Sequence, residues 1–72
     1  MAVTIYTRSG CPFCDALKQR LDHDRTGYTE IDVSAHPRVI PELIKLTGGE
    51  RIVPVLVDRA GVHVAPEGGT RF

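Results

Sequence analysis

The sequence has only two cysteines, too few for the disulfide framework that staples small secreted domains. It has no charge excess. Nine Lys and Arg balance nine Asp and Glu, which argues against nucleic-acid binding and against a membrane-surface role, both of which draw on a basic surplus. It has no long hydrophobic run either: the longest, Ile52 to Val57, is far too short to cross a bilayer. The N-terminus, Met1-Ala2-Val3-Thr4-Ile5-Tyr6, lacks a basic stretch followed by an apolar one, so no secretory leader is expected. Repeats, low-complexity tracts and linkers are also missing. These absences leave a soluble, cytoplasmic protein as the expectation, in a compartment where a close cysteine pair is redox-active or metal-binding rather than structural.

What is present fits one domain spanning residues 1–72. The 72 residues are 42% hydrophobic and 25% charged, the balance of a folded globular chain. A chain of this size buries only about 60–65% of its unfolded surface, so most apolar positions are needed for packing. Val3 to Thr7 alternates apolar and polar with β-branched and aromatic types, a strand pattern. From Pro12 the period becomes helical, with Phe13, Ala16, Leu17 and Leu21 on one face. Pro12 suits the first helical turn, and Gly27 is placed to terminate the helix. Tyr28 to Asp32 reads as a second strand. A second helix starts near Arg38 or Val39, holds Pro41 in its first turn and stops at Gly48-Gly49. Val55–Asp58 and Val62–Val64 form a hairpin across Arg59-Ala60-Gly61. The order β-α-β-α-β-β predicts an α/β fold: a mixed four-stranded sheet with helices packed on it.

Cys11-Pro12-Phe13-Cys14 falls where the first strand meets the first helix. A thiol at a helix N-terminus faces unpaired backbone N–H groups and the positive end of the dipole, both favouring thiolate. One helical turn separates the two cysteines, within the Cα separation a disulfide spans. Cys11, exposed at the helix tip, is therefore expected to attack, and Cys14, pointing into the first turn, to resolve. A thiol of pKa about 8.5 is roughly 3% ionised at pH 7, and one lowered to about 6 is roughly 90% ionised. Arg8 is placed to add positive charge near Cys11 and Asp15 to oppose it, so a lowered but not extreme pKa is expected.

Two other readings of the pair stay open at this point. Zinc wants four ligands, and beyond the pair there are only His23, His36 and His63, which fall in different elements without the spacing of zinc modules; no metal ligand is assigned. A structural disulfide closing so small a loop would stabilise little.

Four features in order make the chain resemble the glutaredoxins, of thioredoxin-like fold, over essentially its whole length. They are Ile5-Tyr6-Thr7-Arg8, Cys11-Pro12-Phe13-Cys14, Ile52-Val53-Pro54 and Gly68-Gly69. The resemblance implies a thiol–disulfide oxidoreductase acting on protein disulfides or glutathione mixed disulfides, with glutathione as co-substrate and no tightly bound cofactor. It implies a cis bond before Pro54, leaving the Val53 backbone free to pair with an extended peptide or the glutathione cysteine. Arg8 would meet a glutathione carboxylate, Pro12 and Phe13 would line the cleft, and the N–H groups of Gly69 and Thr70 would reach an anionic carboxylate.

The chain also departs from the family pattern. Many of the family follow the two glycines with a polar or acidic pair that holds the γ-glutamyl end of glutathione and then a final helix; here Thr70, Arg71 and Phe72 follow Gly68-Gly69, without an acidic partner for the glutathione amino group. Ile52 stands where threonine is common. The chain is thereby also similar to glutaredoxin-like redoxins reduced by a flavoprotein, thioredoxin reductase. An iron–sulfur or metal carrier bridging two copies through Cys11 is a further alternative. A monomer or weak homodimer is expected, since loss of the helix bares an apolar sheet face.

Overall fold

The computed structural model describes residues 3–66 and 68–72. The strands are β1 (Thr4–Thr7), β2 (Thr29–Asp32), β3 (Ile52–Val53), β4 (Val55–Asp58), β5 (Gly61–Val64) and β6 (Thr70–Arg71). The helices are α1 (Pro12–His23) and α2 (Ile40–Leu46), with a short 3-10 turn at Pro37–Val39 leading into α2. Four strands form the mixed sheet in the order β2-β1-β4-β5. β1 runs parallel to β2, Thr4 opposite Thr29, and antiparallel to β4, Tyr6 opposite Val55. The expected architecture is present. A second, two-stranded ladder of β3 and β6 was not foreseen.

Strand alternation sorts the apolar side chains onto two faces. Val3 and Ile5 pack with Leu17 and Leu21 of α1 and with Leu56. Tyr6, Val53 and Val55 pack on the other face with Val33 and with Leu43 of α2, and both cysteines belong to this cluster. Ile5, Leu43, Val53 and Val55 are fully buried. At roughly 1.5–3 kcal/mol for each large side chain, these residues carry much of the fold's hydrophobic stabilisation.

Three local expectations change. The buried stripe of α1 is Cys14, Leu17 and Leu21, while Phe13 and Ala16 face solvent. The helix is also closed by Arg25, not Gly27. Arg25 takes φ 56° and the Thr26 N–H returns to the Leu21 carbonyl at 2.9 Å, so the left-handed closing residue falls two positions earlier than the glycine. The third change lengthens β5 to include Gly61, whose φ of 129° lets it follow the Arg59-Ala60 turn directly. On the α1 side an open groove of about 450 Å³ runs between α1 and the β4–β5 hairpin, walled by Leu17, Leu21 and Leu56. None of the site residues lines it.

Candidate active site

The loop after β1 delivers Cys11 to the N-cap of α1, in extended backbone at φ −94° and ψ 111°. Pro12 follows at the first helical position, where no N–H is required of it. The Cys11 sulfur takes the role a serine or aspartate oxygen plays at other helix starts, accepting the Cys14 N–H at 3.2 Å. The loop before it is pinned by Ser9, whose hydroxyl donates to Asp32 at 3.1 Å, and by Ser34, whose hydroxyl lies 3.1 Å from that of Ser9.

Both cysteines are reduced and buried, Cys11 at 3% exposure and Cys14 at 1%. The expectation of an exposed Cys11 is thus corrected. β6 covers it: Thr70 Oγ1 lies 3.5 Å from Cys11 Sγ, and the Val53 carbonyl is 4.0 Å away on the other side. The Val53–Pro54 bond is cis, as the resemblance implied. The Val53 edge, however, is not free, because it pairs with Thr70. Phe72 N–H donates to the Arg51 carbonyl at 3.0 Å, and the alternation of an antiparallel ladder makes Val53 and Thr70 the next hydrogen-bonded pair. The Thr70 N–H is therefore engaged within the fold and not open to an anion.

Burial pushes the Cys11 thiol up, but hydrogen bonds outweigh it and leave the group below its ordinary value. They come from the Cys14 thiol, the Thr70 hydroxyl, and the backbone at Cys14 and Phe13. The stabilisation is thus hydrogen bonding, from the helix start and from Thr70 of β6, rather than a neighbouring charge. Arg8, expected to supply that charge, stacks its guanidinium 5.6 Å from the centre of the Phe72 ring. Cys14 moves the opposite way, to about 12: burial, the hydrogen bond it gives Cys11 and the Cys11 charge all favour its protonated form. A hydrogen bond from the Arg8 backbone and the charge of Lys18 only partly offset this. The two sulfurs are therefore divided into one poised to ionise and one held as a thiol.

Phe13 is 39% exposed, with its ring against Gly68. Gly68 needs its glycine on two counts, φ of 101° and a Cβ position only 2.8 Å from that ring. Gly69 lies against Ile52 and Ala65. Among the described residues no group of three His, Cys, Asp or Glu is arranged to hold a metal, and His23, His36 and His63 lie apart, at the end of α1, before the 3-10 turn and in β5. Likewise, none of their helices is long and apolar enough to cross a membrane.

Sequence reasoning missed the Thr70 hydroxyl, since only its amide was considered. It also missed the Phe72 ring under Arg8 and Arg51, which are 5.6 and 5.0 Å from its centre. Nothing in the sequence links those three positions, because a two-residue strand is too short to give a periodic signal.

The family model described as Glutaredoxin matches residues 3–64. The chain belongs to the glutaredoxin family. A provisionally named glutaredoxin of Mycobacterium tuberculosis is 41% identical over 56 residues, which cover 76% of this chain and 66% of that protein. Glutaredoxin 1 of Rickettsia felis is 38% identical over 64 residues, covering 86% of this chain and 61% of that one. No solved structure gives a significant match. The match thus covers less than two thirds of these relatives' length, and the glutaredoxin model ends at Val64, before β6.

Proposed function

We propose that this glutaredoxin-family domain is a dithiol thiol–disulfide oxidoreductase. The observation that carries the proposal is the Cys14 N–H donating to Cys11 Sγ at 3.2 Å, at the start of α1, with the Cys11 thiol lowered and the Cys14 thiol raised. The Cys11 thiolate attacks one sulfur of a protein disulfide or glutathione mixed disulfide. That S–S bond breaks, the other sulfur leaves as thiolate, and a mixed disulfide with Cys11 forms. Cys14 then loses its proton and attacks Cys11 Sγ, releasing the second thiol and closing a Cys11–Cys14 disulfide. Two electrons have passed from the protein to the substrate.

Glutathione, as a co-substrate not tightly bound, would return those electrons as two thiols. A second reading, return by a flavoprotein reductase, is supported by the occupied Val53 edge and by the lack of an acidic residue in Thr70-Arg71-Phe72, where the resemblance implies a partner for the glutathione amino group. Supplying glutathione with its reductase, and separately thioredoxin with thioredoxin reductase, to the oxidised protein decides between them by which gives the faster reduction.

Cys11→Ser should abolish reduction of both disulfide types. Cys14→Ser should keep the glutathione mixed-disulfide reaction if glutathione is the co-substrate. Full activity of Cys11→Ser would overturn the proposal.

A further inference from the structure

β6 crosses the mouth of the site, and the reaction proposed above makes no use of it. Its Thr70 pairs with Val53 and presents a hydroxyl 3.5 Å from Cys11 Sγ. The flanking positions are each defined by a different contact. At Gly69 a Cβ would lie 2.8 Å from Ala65 Cβ and 2.9 Å from Ile52 Cδ1, so only the smallest residue fits. Arg71 points outward to Glu50 at 2.9 Å, a pair exposed enough to hold weakly. The Phe72 ring lies beneath the guanidinium groups of Arg8 and Arg51.

We infer that Gly69-Thr70-Arg71-Phe72 is a resident pseudosubstrate. It marks the register of an extended peptide whose cysteine takes the Thr70 position, with glycine before it and an aromatic residue two positions after it. Such a peptide reacts only by displacing β6. This rests on the oxidoreductase reading and specifies its substrate class. With β6 lifted, the Cys11 thiolate attacks the peptide's cysteine in a mixed disulfide with glutathione. The peptide–glutathione S–S bond breaks, glutathione leaves as thiolate, and a Cys11–peptide disulfide forms. Strand pairing to the β3 edge supplies affinity, and the side-chain positions supply selectivity. A two-residue ladder and an exposed ion pair are weak enough to be exchanged for a substrate strand.

Two arms test this on the full chain. In the first, Thr70→Cys in a Cys14→Ser background is treated with oxidised glutathione. The expected product is an intramolecular disulfide between Cys11 and the thiol introduced at position 70, seen as a loss of two hydrogens in the intact mass. Arg71→Cys in the same background should instead carry bound glutathione. Equal cross-linking at both positions overturns the register.

In the second arm, wild-type protein is given the glutathione mixed disulfides of Gly-Cys-Arg-Phe and of the permuted Gly-Cys-Phe-Arg. The first should have a kcat/KM roughly tenfold higher, the order that one ring against two guanidiniums supplies. Phe72→Ala should lower its KM by weakening the strand it displaces. Equal kcat/KM for the two peptides removes this inference and leaves the oxidoreductase reading standing. No turnover of either peptide, nor of a small glutathione mixed disulfide, removes the oxidoreductase reading, while the cross-linking arm still decides the register.

Discussion

Replacing Thr70 by valine tests the origin of Cys11 acidity with little change of shape. Valine keeps the branching that suits a strand but removes the hydroxyl 3.5 Å from Cys11 Sγ. A hydrogen bond to a charged group contributes about 1.5–3 kcal/mol, and one pKa unit corresponds to about 1.4 kcal/mol. The contact is long and Thr70 is half-buried, so the low end applies and the Cys11 pKa should rise by roughly one unit. The added methyl deepens burial and works in the same direction. Cys14 does not intrude on the assay, since its thiol is held at about 12; iodoacetamide between pH 4 and 10 therefore reports Cys11 alone. On the acid limb thiolate falls tenfold per unit while nucleophilicity gains about threefold, so the alkylation rate should drop roughly threefold. On the alkaline plateau, where both proteins are ionised, the variant should react about threefold faster. The two curves must therefore cross. Thr70→Ser, which keeps the hydroxyl, should follow the wild type. An unchanged or lower midpoint in Thr70→Val would refute hydrogen bonding from β6 as a source of the thiolate.

Other outcomes follow from the same geometry. Cys14 favours its neutral form in the folded protein, so its contribution to stability is full below its ordinary value of 9.0 and is lost as pH rises toward about 12; urea titrations of reduced protein at pH 8 and 11 should show a steeper alkaline loss for wild type than for Cys14→Ser. Cys11 has the opposite sign, its contribution being lost as pH falls through its lowered value, so Cys11→Ser should show less acid-side loss than wild type. Gly68→Ala forces a side chain into φ 101° and against the Phe13 ring, which should cost about 1–3 kcal/mol; a Phe13→Ala, Gly68→Ala double variant should recover part of the lost Tm, and no recovery would place the cost in the backbone alone. Leu43→Ala empties a fully buried position at about 2–5 kcal/mol, enough to leave so small a domain largely unfolded in calorimetry.

How much was legible depended on how each feature is encoded. β1, α1, α2 and the β4–β5 hairpin carry periodic patterns over four to twelve residues, and periodicity is what burial on one face imposes. The cysteine pair was legible because its placement follows from the strand-to-helix junction itself. The error at Gly27 arose because glycine is the usual left-handed closing residue, yet Arg25 adopts that conformation when Thr26 can reach Leu21. The error about Cys11 exposure arose further away. A helix N-terminus is open to solvent unless something crosses it, and what crosses it lies 59 residues on. β3 and β6 are two residues each, and pairing so short is decided by partner geometry, not by propensity.

That distant covering also explains why lowered acidity and burial coexist at Cys11. Desolvation alone raises a thiol's pKa, so a buried sulfur at an ordinary helix start would be less reactive than a free one. Here the same strand that excludes water brings the Thr70 hydroxyl, and the helix start brings the Cys14 N–H. The donors replace water's hydrogen bonds with fixed ones and hold the Cys11 thiol below its ordinary value in the closed state. A substrate that displaces β6 removes the hydroxyl at the moment its own sulfur arrives, leaving the backbone N–H donors of α1 in place. With the substrate strand in the place of β6 the sulfur stays buried, so loss of this one donor raises the Cys11 pKa, and a more basic thiolate is a stronger nucleophile. On this argument β6 shields Cys11 while holding its pKa below the ordinary value, and the exchange of one strand for another delivers a more basic, more nucleophilic sulfur.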